Sequence, residues 1–251
     1  MESMHKKNRE DNLDLSNYRK YLSGSEFNSG LKIDFKNEKE YPVSRLEYLE
    51  NLVQGKNIIH VGCADHKELI KDKIKKNHWL HKRLSDKAGR CLGVDIDKES
   101  IDYLINEFAV KDLLSCDLTR DVPDEIIVNK WDYMILGEIL EHIDDPVSFL
   151  KAINSKYSKY VNVIIVTVPN AFRASNYKNA MHHAEYINSD HRYWFTGYTL
   201  MKVMTAGGFN VTEISFCENF GLSRRKFLHY YKMKNYPLLR ESIVCHADWK
   251  K

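Results

Sequence analysis

The sequence lacks the features that mark secreted and membrane-spanning proteins. Nowhere do about 18 consecutive apolar residues occur, so we expect no membrane span. The N-terminus has no apolar core of the kind that a signal peptide needs. Five cysteines are widely spaced without any C-x-x-C pair, which favours reduced thiols and no disulfides. We therefore predict a cytoplasmic protein.

A strong charge of one sign is also missing. The 38 Lys and Arg residues nearly balance the 35 Asp and Glu residues, giving a formal net charge of +3. That is too small to indicate nucleic acid as an obligatory partner. Hydrophobic residues make up 43% and charged residues 29% of the chain, as in ordinary globular proteins. At 251 residues we expect one large core with appendages.

The first 40 residues read as an N-terminal extension, and residues 41–251 as the main domain. The extension is polar, mixed in charge and interrupted by Ser and Gly. A lid over the active site, an arm in a homodimer and a surface appendage are the alternatives, of which the appendage fits the usual behaviour of termini. Helical spacing over 45–53 then ends at Gly55, a helix C-cap position.

A strand, a turn of small residues and a helix follow one another after Lys56. The strand is 57–61, the turn begins at Gly62, and a lysine-rich helix begins at Lys67. This arrangement lets backbone N–H groups approach a nucleotide-like cofactor. The next strand carries Asp95 at its end, where an acid can accept hydrogen bonds from ribose hydroxyls. A third unit ends similarly in an acid, Asp117.

The stretch with the richest chemistry begins at a short apolar run, 131–136, which predicts a buried strand ending at Gly137. Glu138, Glu141 and His142 come next at i, i+3 and i+4. If a helical turn begins at Glu138, these three share one face with Cβ atoms roughly 5–6 Å apart. In open α/β sheets, ligands bind outside the carboxyl ends of the strands, where this group would stand. The alternative is a solvated helix start.

The motifs VGCADH, LGVDID, CDL, WDYMILGEILEHIDDPVSFL and VIIVTVPNAF, in this order, resemble those of class I S-adenosylmethionine-dependent methyltransferases. The resemblance covers about residues 41–251. It implies an α/β, Rossmann-like fold with a seven-stranded, mostly parallel sheet and helices on both faces. The last strand, which 242–249 would form, is expected to be antiparallel and inserted beside 209–218. LGEILEHIDDP with NSDHRYWFTGYTLMKVMTAGGF is similar to methyltransferases of glycan and surface-polysaccharide biosynthesis.

The resemblance assigns a cofactor-binding role to individual residues. Gly62, Cys63 and Ala64 match the loop around the methionine part, Asp95 matches the ribose-binding acid, and Gly137 lies beside the reactive methyl. The full set that it implies is Gly62, Cys63, Ala64, His66, Asp95, Ile96, Asp117, Leu118 and Gly137.

The cofactor loop departs from the family's D-x-G-x-G-x-G pattern. His60, Gly62, Ala64 and His66 stand at its four fixed positions. A side chain at His66 must avoid the cofactor or take a conformation that glycine would not need. This departure keeps open a non-catalytic binding protein with a degenerate loop.

The sequence E-x-x-E-H after the fourth strand resembles a divalent-cation motif of small-RNA 2′-O-methyltransferases and ubiquinone-pathway O-methyltransferases. It implies Glu138, Glu141 and His142 as ligands, with His191 of a later D-H segment as the fourth. Two carboxylates and two imidazoles suit Mg²⁺, Mn²⁺ or Fe²⁺. Such an ion would lower the pKa of a substrate hydroxyl, so we name Glu138, His142 and His191 as catalytic. Alternatively, His142 is a general base without metal and His191 braces the aromatic cluster 193–195.

A basic segment with interleaved aromatics lies near the C-terminus. Phosphate binding and a solvated helix face are the alternatives for it. Its members are Arg224, Arg225, Lys226, Phe227, Tyr230 and Tyr231.

The expected function is S-adenosylmethionine-dependent O-methylation. The acceptor would be a hydroxyl of a sugar, a nucleotide-linked sugar or another polar precursor of capsule or lipopolysaccharide, and a divalent metal would assist the transfer. The rival enzyme function is methylation of RNA at its terminal ribose. The modest charge and the lack of a separate RNA-binding module stand against that rival, because phosphate contacts supply much of the affinity for RNA.

Overall fold

The computed structural model describes residues 14–35, 44–65, 67–219 and 227–250. His66 and the basic residues 224–226, which the sequence singles out, lie outside the described residues.

A seven-stranded sheet with the order β3-β2-β1-β4-β5-β7-β6 forms the centre of the molecule. Strands β1 to β5 pair in parallel, whereas β7 runs antiparallel to both of its neighbours, β5 and β6. The predicted fold class, including the inserted last strand, is therefore confirmed. The strands are β1 Asn57–Val61, β2 Arg90–Asp95, β3 Leu113–Ser115, β4 Trp131–Gly137, β5 Val161–Pro169, β6 Phe209–Cys217 and β7 Ser242–Trp249.

Helices cover both faces of this sheet. The described helices are α1 Arg19–Ser23, α2 Arg45–Leu52, α3 Lys67–Lys75, α4 Leu80–Ser85, α5 Lys98–Phe108, α6 Asp124–Ile127, α7 Pro146–Tyr157, α8 Ala174–Met181, α9 Gly197–Ala206 and α10 Phe227–Asn235.

The two central strands, β1 and β4, are buried on both faces. Ile58 and Ile135 pack with Leu49 of α2 on one face, while Ile59 and Met134 belong to the larger core on the other. Successive side chains of a strand point to opposite faces, so a continuous apolar run supplies both layers. This explains why short apolar runs predicted the strands correctly.

Helix starts follow from local capping. Ser44 forms a capping box with Glu47 at the start of α2, and the Asp145 side chain accepts a hydrogen bond from the Ser148 backbone N–H before Pro146 opens α7. The Asp-Pro pair is thus a helix cap.

The described part of the N-terminal extension packs on its own chain. Leu15 and Leu22 are buried in the larger core, and the Lys202 ammonium of α9 donates to the Tyr21 carbonyl at 2.5 Å. The Phe35 ring contacts the Phe216 ring edge-on, with 5.3 Å between centroids. The described part of the extension therefore contacts α9 and β6, and the appendage, the lid and the dimer arm all stay predictions.

Two expectations about the whole chain can be compared with the structure. All five cysteines are free thiols, four of them buried. Among the described residues, no helix is long and apolar enough to cross a membrane.

One buried acid links α2 to the end of β6. The Glu218 carbonyl accepts a hydrogen bond from the Arg45 backbone N–H at 2.6 Å. The Glu218 side chain is buried, and its Oε1 has no hydrogen-bond partner among the described residues. Burial first, and Glu241 second, raise the pKa of Glu218 from 4.5 to about 7, against the opposing charge of Arg240.

Glu218→Gln should make stability less dependent on pH. Because the folded pKa lies above the unfolded one, the folded protein keeps a proton that the unfolded chain releases, and stability falls as pH rises from about 4.5 to about 7. The unfolding free energy of the variant relative to that of wild type should therefore increase by on the order of 1–3 kcal/mol as the pH rises from about 5 to about 8. Urea unfolding measures this.

The exposed acid Glu107 on α5 offers the matched control, Glu107→Gln. Parallel pH profiles for wild type and Glu218→Gln would show that the buried carboxyl does not titrate as described.

Candidate functional site

A cavity of about 1080 Å³ opens at the carboxyl ends of β1, β2 and β4. Its volume is at the upper end of the range of small-molecule and cofactor sites. Every described residue that the sequence proposed for the site lines it. They are Gly62, Cys63, Ala64, Asp95, Ile96, Asp117, Leu118, Gly137, Glu138, Glu141, His142 and His191.

Parallel register brings these residues together. Val61 pairs with Val94 on one side and with Leu136 on the other, so the three strands end at one edge of the sheet. Gly62 then turns the chain with φ at +69°. A Cβ on Gly62 would lie 2.9 Å from the Ile139 side chain, which is too close. The positive φ therefore favours glycine here, and a Cβ would in addition displace the end of the Ile139 side chain.

Asp95 is fixed at the end of β2 by two backbone donors. Its Oδ2 accepts from the Ala64 N–H at 2.9 Å, and its Oδ1 accepts from the Asp97 N–H at 3.0 Å. Burial raises the pKa of Asp95, although these hydrogen bonds oppose the shift. Each carboxylate oxygen can accept a further hydrogen bond, as the hydroxyls of a ribose would require.

Asp117 shapes the next turn of the cavity wall. Its Oδ1 accepts from the Thr119 hydroxyl at 2.6 Å and from the Thr119 backbone N–H at 2.9 Å. The hydroxyl bond is the main reason that the pKa of Asp117 is lowered. The turn buries Leu118, while Ile96 is 71% exposed. Together these apolar side chains offer a surface on which a planar ring could pack.

Glu138 differs from the prediction. It does not begin an α-helical turn: its φ is +60°, and a short 3-10 turn follows over Leu140–His142. The Glu138 N–H donates to the Thr167 carbonyl at 2.9 Å, so β4 still pairs with β5 at this residue. Its Oε1 accepts from the Ser242 hydroxyl at 3.3 Å and lies 3.7 Å from Arg45 Nε. A left-handed, non-glycine residue costs about 1–3 kcal/mol and is typical of functional sites.

Glu141, His142 and His191 form a compact group. One potential ligand atom from each residue lies within 4.8 Å of the others. The later segment is held there because the Arg192 N–H donates to the Glu141 carbonyl at 2.7 Å. The His191 ring packs edge-on against the His142 ring, with 4.6 Å between centroids. Glu138 lies outside this group, and the structure therefore brings together three of the four expected metal ligands.

The Glu141 carboxyl has an unusual environment. It is fully buried, and neither oxygen has a hydrogen-bond partner among the described residues. Burial first, and the charge of Glu138 second, raise the pKa of Glu141 to about 8. His191 Nδ1 is likewise buried without such a partner, and burial followed by His142 lowers the pKa of His191.

These unsatisfied groups fit a divalent cation. An unpaired buried carboxylate is costly, and a bound cation would satisfy the charge and the free lone pairs together. A carboxylate with two imidazoles suits Mg²⁺, Mn²⁺ or Fe²⁺, and this ligand set differs from that of a thiolate-type zinc site.

Sequence reasoning missed several cavity residues. Arg45 and Asn188 line the cavity, although the former was seen only as part of a helix. Trp79, between α3 and α4, donates from Nε1 to the Cys63 carbonyl at 3.0 Å. His60 also lines the cavity, and its only signal was the departure from the family's acidic position.

Comparison with known sequences gives a family match. The family described as "Methyltransferase domain" matches residues 36–214, which is most of the chain. No curated protein sequence matched.

Solved structures share the fold at low identity. A chain of the complex between the Haloferax volcanii activator Trm112 and a methyltransferase has a TM-score of 0.51 at 13% identity, covering 82% of this chain and 88% of that chain. For the small RNA methyltransferase HEN1 the TM-score is 0.55 at 15% identity, covering 88% of this chain but only 28% of that chain.

A third structure of this fold was determined with bound SAH, the product form of the methyl donor. It is magnesium protoporphyrin IX methyltransferase from Synechocystis PCC 6803, with a TM-score of 0.50 at 12% identity, covering 82% of this chain and 83% of that chain. The family match, together with the fold shared with these structures, leads to one conclusion: the chain belongs to the methyltransferase domain family and is a class I S-adenosylmethionine-dependent methyltransferase.

Proposed function

We propose that this enzyme methylates a hydroxyl of a sugar, a nucleotide-linked sugar or another polar precursor of capsule or lipopolysaccharide, with the help of a divalent cation. The observation that carries the proposal is the buried Glu141 carboxyl, which has no hydrogen-bond partner among the described residues and lies beside His142 and His191. This group lines the same cavity as Gly137, where the resemblance places the reactive methyl.

The cofactor would be held by residues from separate strands. Asp95 would accept hydrogen bonds from the ribose hydroxyls, and the side chains of Ile96 and Leu118 would pack on the adenine. The backbone of 62–64 would surround the methionine part. Gly137 lines the cavity on the same side, and a Cβ at this position would lie 3.0 Å from the end of the Leu80 side chain.

The cation, when bound, would lower the pKa of a hydroxyl that it coordinates, so that the alkoxide forms near neutral pH. Glu141, His142 and His191 would hold it. The lowered pKa of His191 keeps this ring neutral near pH 7, as a ligand must be. In the metal-free alternative, His142 takes the hydroxyl proton as a general base. In both cases the chain contributes mainly by orienting the acceptor.

The lining of the acceptor end supports a polar acceptor. Asn188, Glu138, His142 and His191 all offer hydrogen-bonding groups there. An RNA terminal ribose offers similar hydroxyl chemistry and stays the second candidate, since HEN1, a small RNA methyltransferase, shares the fold. The net charge of +3 favours the smaller acceptor. A methyl-transfer screen with nucleotide sugars and short RNA oligonucleotides separates the two.

Asp95→Ala should weaken S-adenosylmethionine binding by about 1–3 kcal/mol, because the ribose hydroxyls lose their partner. Titration calorimetry measures the effect. The control is Asp102→Ala, which removes an acid of α5 that pairs with Lys98 outside the cavity. Unchanged affinity of a folded Asp95→Ala protein would remove this residue from the cofactor site.

Chelation of divalent cations should abolish methyl transfer while leaving cofactor binding intact. The proposed cofactor contacts come from Asp95 at the end of β2 and from the loop after β1, and neither of these would hold the cation. Added Mg²⁺ or Mn²⁺ should restore turnover.

Glu141→Gln should lower metal affinity by at least about tenfold, because it removes a charged ligand at nearly constant side-chain volume. Its control is Glu125→Gln, which changes an exposed carboxylate of α6 away from the cavity.

His191→Ala should lower the affinity of the site for the metal, so that excess metal rescues part of the activity. A chelator-treated enzyme that turns over at its full rate would contradict metal assistance and leave His142 as the candidate general base.

A further inference from the structure

Two segments beside the candidate site meet the sheet at the same edge. Pro169 at the end of β5 and Cys217 at the end of β6 both lie opposite Ser242, where β7 begins. The cavity opens at this edge too, because β4 ends there beside β5. Residues 170–196, after β5, and 227–241, before β7, therefore start or finish where the cavity opens.

A hydrogen bond and an ion pair join the two segments. The Asn170 side chain donates to the Arg240 carbonyl at 2.8 Å. The Arg173 guanidinium, just before α8, lies 3.3 Å from a carboxylate oxygen of Glu241. The two segments are thereby fixed to each other at the start of α8. Their outer side, which we call the edge surface, comprises residues 170–187 and 227–241.

Large apolar side chains of the edge surface are exposed. No residue of α8 is buried, and Tyr177 and Met181, at i and i+4 on one face, are 68% and 65% exposed. In α10, Leu228, Tyr231 and Lys232 share an exposed face at i, i+3 and i+4, and Leu228 is 84% exposed. Exposed apolar surface of this extent marks a site of interaction. Further exposed members are Phe172, Tyr186, Ile187 and Tyr236.

The second segment carries only positive charge. In the sequence, 219–240 contains no Asp or Glu, and the chain as a whole has a net charge of only +3. Arg240 is buried and donates to the Met233 carbonyl at 3.0 Å, so it serves the fold. Lys232 and Lys234 lie on α10, and Lys232 is exposed. The Lys and Arg residues of this stretch are Arg224, Arg225, Lys226, Lys232, Lys234 and Arg240, of which the first three lie outside the described residues.

The side-chain types distinguish between the occupants that this surface could take. The cores of protein interfaces are depleted in Lys, which argues against a protein partner. Single-stranded RNA is bound by stacking its bases on aromatic rings, and the aliphatic side chains of Met181, Ile187 and Leu228 offer no ring. A lipid surface takes up aliphatic side chains below the headgroups and tyrosines at their level, and anionic headgroups attract lysines.

We propose that the edge surface docks peripherally on an anionic lipid surface. The apolar faces of α8 and α10 enter the headgroup region, and Lys232 and Lys234 face the lipid phosphates. The mouth of the cavity then opens beside the lipid. This inference depends neither on the identity of the methyl acceptor nor on a metal, so it stands or falls separately from the proposed function.

Vesicle sedimentation with the full chain tests the docking. The two probes are vesicles of phosphatidylglycerol and phosphatidylcholine in equal parts, and vesicles of phosphatidylcholine alone. The protein should bind the mixed vesicles at least about tenfold more tightly, because anionic headgroups attract the lysines. Added salt should weaken this binding through screening.

Lys232→Gln combined with Lys234→Gln tests the charge of the edge surface. The double variant should bind the mixed vesicles at least about fivefold more weakly, since each lysine near an anionic surface adds to the attraction. The matched control is Lys87→Gln with Lys159→Gln. These exposed lysines stand before β2 and β5, at the opposite edge of the sheet, and their loss should leave binding unchanged.

Leu228→Ser tests the apolar contribution. It should also weaken binding to the mixed vesicles at least about fivefold, because an apolar side chain no longer leaves water. The control is Val128→Ser, which changes a side chain that is 73% exposed before β4, at the opposite edge. In a second readout, the added indole of Leu228→Trp should shift its emission to the blue on mixed vesicles, whereas that of Val128→Trp should not. Urea unfolding shows that each variant is folded.

Several results would overturn the inference. No binding to the mixed vesicles, equal binding to phosphatidylcholine alone, or an unchanged affinity of the folded Lys232 and Lys234 double variant would each contradict it. Binding of a single-stranded RNA oligonucleotide without binding of the vesicles would assign the edge surface to RNA instead. A dimer in sedimentation that Leu228→Ser dissociates, again without vesicle binding, would assign it to a second copy of the chain.

Discussion

Parallel pairing of β1 with β4 is the constraint on which the candidate site depends. It sets Val61 opposite Leu136, so that the turn after one strand and the chemically richest stretch after the other meet at one edge. The cavity is built on that meeting. Gly62 and Gly137 keep it open, since a Cβ at either position would meet a neighbouring side chain within about 3 Å. The core beneath holds the register, because a slip of one residue would turn every side chain to the opposite face.

Two residues beyond this edge of the sheet lower the stability of the folded protein. Glu138 takes a left-handed conformation, and the Glu141 carboxyl is buried without a partner among the described residues. Each would destabilise an ordinary fold by about 1–3 kcal/mol. Destabilising features of this kind are concentrated at functional sites, and here both residues line the same cavity. A cation among Glu141, His142 and His191 would remove the second cost, which gives the metal proposal its physical basis.

Much of this could be predicted from the sequence. The apolar runs predicted the strands, and the resemblance predicted that Gly62 and Asp95 belong to one site. The helical face proposed for Glu138 was wrong, because pairing with Thr167 carries the strand past Gly137 and a left-handed residue then turns the chain. The buried His60 ring of β1 stacks on the His81 ring of α4, and this contact had no sequence signal. It arises where α4 packs beneath β1, and periodicity cannot show which buried side chains touch.

The central claim is that the buried carboxyl of Glu141 is a metal ligand. The most direct measurement is anomalous diffraction from crystals of the full chain grown with Mn²⁺ and S-adenosylhomocysteine. The account predicts a Mn²⁺ peak about 2.0–2.6 Å from a Glu141 oxygen and from nitrogens of His142 and His191, next to the cofactor's sulfur. A Glu141 carboxyl that stays without an ion, in crystals whose cofactor is fully bound, would contradict it.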